Sequence, residues 1–392
     1  VANVERLGAP RRLTSYQMTD STGANPPVFV TRPILPPLAE VIPYLEEIWS
    51  SRILSNGGPM LKRFEAELAA WMGVEHLSIQ CNASVSLVVA LRHYGITGEV
   101  ITSPFSFVAT SHAIRWAGAE PVFADIQPGN MGLDPAAVEA RITPRTQAIL
   151  AVHCYGIPCD TEGLADVARR HGLRLIYDAA HAFGVRVDGK PLVAEGDLSV
   201  LSFHATKVFN SFEGGAIVAP DLETKLALDR MGNYGIVDEL TVTEVGLNAK
   251  MSELHAAMGL ALLPHMDAAL DAREAVVRRY RTALADVAGL ECLCPLRKGH
   301  NAYAFPVRIG ADYPLSRDGL YNRLRQDQIF ARRYFYPLIS DMPMYRDLAS
   351  AAPADLPVAR DVAEHILCLP LYPDLEPDVQ QRIIDIVARP CA

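Results

Sequence analysis

Ser202-Phe203-His204-Ala205-Thr206-Lys207, followed by Glu213-Gly214-Gly215, is the stretch on which the reading of this chain turns. A β-like run from Leu198 to Phe203 leads into it, and Lys207 stands five residues after Ser202. Upstream, Ile176-Tyr177-Asp178-Ala179-Ala180-His181 closes a second apolar run with an acid, 207 − 178 = 29 residues before the lysine. Taken singly, a lysine is most often a solvated residue and a strand-end aspartate a helix cap. Together they are the pair that pyridoxal-phosphate chemistry needs. A lysine amine holds the cofactor aldehyde, and a carboxylate keeps its pyridine nitrogen protonated.

Outward from this stretch, the pattern from Glu99 to Ala219 alternates. Strand-like runs are expected over Val100-Ile101-Thr102, Pro121 to Ile126, Ala148 to His153, Leu173 to Tyr177, Leu198 to Phe203 and Ala216 to Ala219. Helical spacing falls near 108–117, 134–141 and 160–171. Near-continuous apolar strands separated by helices predict an α/β fold with a mainly parallel sheet covered on both faces. Ligands in such sheets gather at the carboxyl ends of strands, where Phe107, Asp178 and Ser202 fall.

Before this region, His76 to Gln80 reads as a strand, and Asn82-Ala83-Ser84 opens an apolar helix running to about His93. Asn82 and Ser84 are good cap residues; the same N–H groups and hydroxyl can equally bind a phosphate. Leu38 to Trp49 and the face Leu61, Phe64, Leu68 and Trp71 read as two further helices, the second stopped by Gly73. Residues 232–249 are glycine-rich and irregular. A long helical pattern runs from Met251 toward Val287, with an interruption expected at Pro264. After Gly299, Tyr303 to Ile309, a helix near 316–326 and Ile329 to Tyr336 predict a small α+β domain.

The chain has 392 residues, seven cysteines and a net charge of 36 − 45 = −9. That length predicts two domains. No basic block points to nucleic acid, and no apolar run approaches the roughly 20 residues that span a bilayer. Arg11 and Arg12 precede no apolar core, so no signal peptide is read there. The cysteines lack zinc-site spacing, so no metal is expected, and they read as the reduced, mostly buried thiols of a cytoplasmic protein. Neither a dinucleotide fingerprint nor a Walker lysine is present.

In order along the chain, Ser55-Asn56-Gly57-Gly58-Pro59, Asn82-Ala83-Ser84, Phe107-Val108-Ala109-Thr110, Asp178-Ala179-Ala180-His181, Ser202 with Lys207, and Asn248-Ala249-Lys250-Met251-Ser252-Glu253 resemble the DegT/DnrJ/EryC1/StrS sugar aminotransferases, a branch of fold-type I pyridoxal-phosphate enzymes. The resemblance covers roughly residues 28 to 392. It implies an arm or tail over 1–27 and a large cofactor domain over 28–265, with 28–50 free to pack on a small domain over 266–392. It also implies pyridoxal 5′-phosphate held by Lys207, with Asp178 at the ring nitrogen, His181 near the ring's phenolic oxygen and Phe107 stacked on the ring. Ala83, Ser84 and Ser202 would bind the phosphate. Asn248 would reach the phosphate of the neighbouring subunit, which makes the active unit a homodimer with shared sites. Asn233, Tyr234, Arg332 and Tyr334 match segments near the substrate entrance. One departure is Phe212, which stands before Glu213 where the family commonly has glycine.

The expected activity is transfer of an amino group, from L-glutamate, onto a nucleotide-linked 4-keto-6-deoxyhexose, with thymidine diphosphate as the nucleotide. Its product would enter a deoxyaminosugar pathway for an antibiotic or a surface glycan. Amination at C3, a keto-cyclitol acceptor and a non-catalytic regulatory protein on the same fold stay open as alternatives. The dehydratase branch of the family lacks this lysine, so Lys207 argues against it.

Overall fold

The computed structural model describes residues 26–390. The arm expected over 1–27 therefore lies outside the described residues, apart from its last two prolines. Seven strands build the central sheet: β1 (His76–Gln80), β2 (Glu99–Thr102), β3 (Glu120–Phe123), β4 (Thr146–Val152), β5 (Arg174–Asp178), β6 (Leu198–Ser202) and β7 (Gly215–Ala219). Their spatial order is β1-β7-β6-β5-β4-β2-β3. The strands β2 to β6 pair in parallel, and β7 runs antiparallel to both of its neighbours. The inner strands are apolar along their length because helices cover both faces; Ile149, Leu150, Ile176, Val200 and Leu201 are all fully buried.

This topology gathers chain ends on one edge. Gln80, Thr102, Val152, Asp178 and Ser202 all close their strands there. Because β7 is reversed, its first residue, Gly215, joins the same edge, level with Ser202 and Gln80. The helix Ala83–His93 starts immediately after β1, capped by Asn82 Oδ1, which accepts from the Val85 N–H at 2.9 Å.

One strand is shorter than its sequence pattern. The run to Ile126 leaves the sheet after Phe123. Asp125 provides the reason: its carboxylate accepts from the Ile126, Val358 and Ala359 N–H groups at 2.8–2.9 Å. It thus caps the helix Pro357–His365 from outside, and the chain turns away from the sheet to let it. The long helical pattern after Met251 does break at Pro264, into Glu253–Leu262, a 3₁₀ turn and Met266–Leu284.

Beyond it lies an antiparallel sheet of β8 (Leu290–Cys292), β9 (Phe305–Ile309) and β10 (Ile366–Leu369), in that spatial order. Tyr280, Phe305, Leu320, Ile329 and Ile383 share the core beneath it. Val28–Phe29 pairs in parallel with Ile329–Phe330, and the rings of Phe29 and Phe330 stack at 5.3 Å. The start of the described chain is therefore tied to the C-terminal half.

Glu253 ties the early helices to the long one. It is buried, and its carboxylate accepts from the Met60 and Leu61 N–H groups at 2.8 and 3.1 Å, at the start of the helix Pro59–Met72. Gly58 must be glycine here, because a Cβ would lie 2.5 Å from Glu253 Oε2. Glu253→Ala leaves two N–H groups without their acceptor and should cost about 2–3 kcal/mol. Denaturant unfolding of parent and variant checks this, and a loss under about 0.5 kcal/mol would refute the account.

Candidate active site

A cavity of about 580 Å³ opens at the carboxyl edge of the sheet. Eight of the predicted residues line it: Ala83, Ser84, Phe107, Asp178, His181, Ser202, Lys207 and Tyr334.

Asp178 is buried at the end of β5. Thr110 Oγ1 donates to its Oδ2 at 2.7 Å, and the Ala180 N–H donates to its Oδ1 at 3.1 Å. Thr110 is in turn linked to Ser106 at 2.8 Å. Burial pushes the carboxyl pKa up, and the Thr110 and Ala180 hydrogen bonds and the Lys207 charge pull it back. Its hydrogen-bond donors are neutral, so a cation in the cavity is the partner that would hold it ionised.

Lys207 follows a tight turn in which its N–H donates to the His204 carbonyl at 2.8 Å. The residue as a whole is half-buried. Burial lowers its amine to about 8, against the opposing pull of Asp178. An amine with this value keeps a far larger neutral fraction near physiological pH than an ordinary lysine, which suits it to attack an aldehyde and to carry a proton.

The third part of the site is an anion pocket. The first N–H groups of a helix have no acceptor within it, and Asn82 takes only that of Val85. The Ala83 and Ser84 end faces the cavity beside buried Ser202. Gly215 allows this approach, since a Cβ there would lie 2.6 Å from Ala83 N. A helix N-terminus flanked by two hydroxyls is the arrangement that binds a phosphate.

His181 is buried, and burial drives its pKa well below the usual imidazole value, with the Lys207 charge adding to it. Its Nδ1 accepts from the Tyr155 N–H at 3.2 Å, which leaves the proton on Nε2. Its ring stacks on Tyr303 at 4.0 Å and lies parallel to Phe335 at 6.0 Å. Phe107 is 60% exposed yet lines the cavity, so its ring offers an apolar face to a ligand. A buried acid, an amine, a phosphate-type helix end and an uncovered aromatic face thus surround one space. The residues fit pyridoxal phosphate.

Four predicted residues do not line this cavity. Asn233 and Asn248 bridge each other within the 232–249 loop. Tyr234, 48% exposed, lies under the Lys250 amine at 4.5 Å. Arg332 exchanges main-chain hydrogen bonds with Cys368 at 3.1 and 2.8 Å, and its side chain is exposed. Two main-chain ties accompany this. The Cys81 N–H donates to the Ala249 carbonyl at 2.6 Å and fixes the end of the 232–249 loop, and beside the 332–368 bridge Tyr334 and Phe335, instead of Arg332, line the cavity. Sequence reasoning assigned no role to Ser106, Thr110, Tyr303 or Phe335. Thr110 was legible in its motif; Tyr303, 303 − 207 = 96 residues beyond the lysine, carried no local signal.

The sequence profile of the DegT/DnrJ/EryC1/StrS aminotransferase family matches residues 38–388. The dTDP-4-amino-4,6-dideoxy-D-glucose transaminase of Shigella dysenteriae is 47% identical over 362 residues, 92% of this chain and 98% of that protein. Its Escherichia coli counterpart is 46% identical over 360 residues, 91% of this chain and 97% of that one. A crystal structure of DesI in the presence of its TDP-sugar product superposes with a TM-score of 0.88 at 38% identity, covering 93% of each chain. The lysine, the acid and the phosphate-type pocket therefore stand in a chain that belongs to the DegT/DnrJ/EryC1/StrS aminotransferase family, a transaminase whose cofactor is pyridoxal 5′-phosphate.

Proposed function

We propose that the chain transfers an amino group from L-glutamate to C4 of thymidine-diphosphate-4-keto-6-deoxyglucose or a close stereoisomer. The observation that carries this reading is the 47% identity, over 92% of the chain, to a transaminase named for the 4-amino-4,6-dideoxy product. In this reading Lys207 holds the cofactor and moves the proton at its Nζ. Asp178 holds a proton at the ring nitrogen, and His181 donates from Nε2 toward the ring's oxygen. Ala83, Ser84 and Ser202 bind the phosphate, and Phe107 excludes water from one ring face. Bound there, the cofactor supplies the electron sink for the carbon–hydrogen bond that breaks. Tyr334 meets the substrate from the cavity wall, with Asn233, Tyr234 and Arg332 at the entrance.

The test is a screen of thymidine- and uridine-diphosphate keto sugars, with 3-keto and 4-keto isomers, using glutamate as donor and mass spectrometry of the product. Amination of the thymidine 4-keto sugar at least tenfold faster than of the others is expected. A preference for a 3-keto sugar or for a uridine-diphosphate sugar sinks the assignment.

We further propose a homodimer in which Asn248 completes the partner's phosphate site. Supporting this, Asn248 is absent from the cavity of its own chain, and the loop that carries it displays Leu240 and Val245, 92% and 85% exposed. Mixing Lys207→Ala and Asn248→Ala chains then regenerates one intact site in each hybrid dimer. Random assortment gives about a quarter of parent activity if each variant alone is inactive. Activity of the mixture no higher than the two variants' average refutes the sharing.

A further inference from the structure

Tyr303 reaches the cavity from the C-terminal half of the chain, and its main chain is fixed on both sides. Its N–H donates to Asn301 Oδ1 at 3.1 Å, and its carbonyl accepts from Nη2 of buried Arg273 at 3.0 Å. Asn301 Nδ2 donates to the His181 and Phe183 carbonyls at 2.7 and 3.0 Å. The ring is therefore locked in register with the segment after β5. It stacks on the His181 imidazole at 4.0 Å, and Lys207 Nζ stands over it, 5.2 Å from its centroid. Three anchors converge on an aromatic face beneath one flexible amine.

We propose that Tyr303 is a positioning residue for Lys207: its ring face holds the free amine inside the cavity, beside Asp178 and His181, and keeps it from swinging out to Glu213. The alternative is real, because a lysine stem has four rotatable carbons. Glu213 also lines the cavity, half-exposed, with His204 Nε2 3.6 Å away. A cation–ring attraction in a desolvated site shifts such a population by about tenfold. The groups facing the amine are then Asp178 and His181 from the β5 edge, Tyr303 from the C-terminal half, and His204 and Glu213 at the mouth. This inference rests on Lys207 being the residue that holds the cofactor.

The experiment titrates Lys207 directly in the full chain without added cofactor, by competitive acetylation across pH and peptide mass spectrometry. The parent should show a midpoint near about 8. Tyr303→Phe keeps the face and should stay within about 0.3 units. Tyr303→Leu removes an attraction that only the protonated amine feels, so by linkage the midpoint should fall by about one unit. If the leucine chain does not fold, pentafluorophenylalanine at the same position preserves the shape and removes the attraction, and should give the same fall. An unchanged or raised midpoint overturns the proposal, as does a Phe variant that moves as far as Leu. Borohydride reduction with peptide mapping separates the two ideas. Cofactor fixed on another lysine fails the reading of Lys207; cofactor on Lys207 with an unmoved titration fails this one alone.

Discussion

Lys207→Ala should leave the fold intact and lower turnover by on the order of 10⁴-fold or more. Two functions vanish together: the covalent hold on the cofactor and the proton carrier beside the substrate. Little structural support is lost. The amine stands over the Tyr303 ring at 5.2 Å, and the hydrogen bond of the turn, from the Lys207 N–H to the His204 carbonyl, is made by the main chain and survives the substitution. The lowered amine pKa gives the sign of the stability change. Between about 8 and the ordinary lysine value the unfolded chain binds the extra proton, so parent stability rises with pH across that window and is penalised below it. Removing the amine removes the penalty at pH 7. The variant should therefore be no less stable than the parent at pH 7. Steady-state product formation with saturating cofactor, beside denaturant melts, tests both halves. Turnover within tenfold of parent would remove Lys207 from the mechanism. A collapse in stability would mean that the lost activity reports folding instead.

The sequence announces the parts of this site that are local. Asp178 and Ser202 each end an apolar run, and a parallel sheet places such ends on one edge whatever the length of the crossovers. That is why the acid, the hydroxyl and the lysine could be paired across 29 residues. The reversed β7 was not legible, because Gly215–Ala219 is as apolar as the parallel strands, and direction leaves no mark on composition. Its consequence matters, since reversal brings Gly215 against Ala83 and shapes the phosphate-type pocket. The early end of β3 was hidden for another reason. Ala124 and Ile126 continue the alternation, while the cause of the exit is Asp125 capping a helix more than 230 residues away. Tyr303 and Phe335 were invisible on the same grounds: an aromatic in a small-domain segment reads as core until the chain brings it to His181. The entrance segment poses a different difficulty. Arg332-Arg333-Tyr334-Phe335 offers four plausible side chains, and beside the main-chain bridge to Cys368 it is Tyr334 and Phe335 that line the cavity.

Asp178→Asn should cost on the order of 10³-fold in kcat while weakening cofactor affinity by less than about tenfold. The substitution keeps the shape. The new amide Oδ1 can still accept from the Ala180 N–H, and the Thr110 hydroxyl can rotate to accept from Nδ2 and donate to Ser106, since that link at 2.8 Å serves either direction. Only the charge is lost, and with it the reason for the ring nitrogen to keep its proton. The same burial predicts an opposite effect on stability. With the carboxyl pKa raised in the folded chain, the folded state binds the extra proton above the ordinary aspartate value. Parent stability without cofactor therefore falls as pH rises through that window. The amide cannot ionise, so the cofactor-free Asp178→Asn chain should be more stable than the parent at pH 7, and the gain should disappear at low pH where the carboxyl is protonated in both states. A residue that weakens the empty fold and is needed for turnover is held there by its ligand, as expected of an acid placed for a cationic ring. Parallel melts at two pH values and kinetics at saturating cofactor test this pair of signs. Parent-like turnover, or a loss that excess cofactor restores, would leave Asp178 as a binding contact without the electronic role.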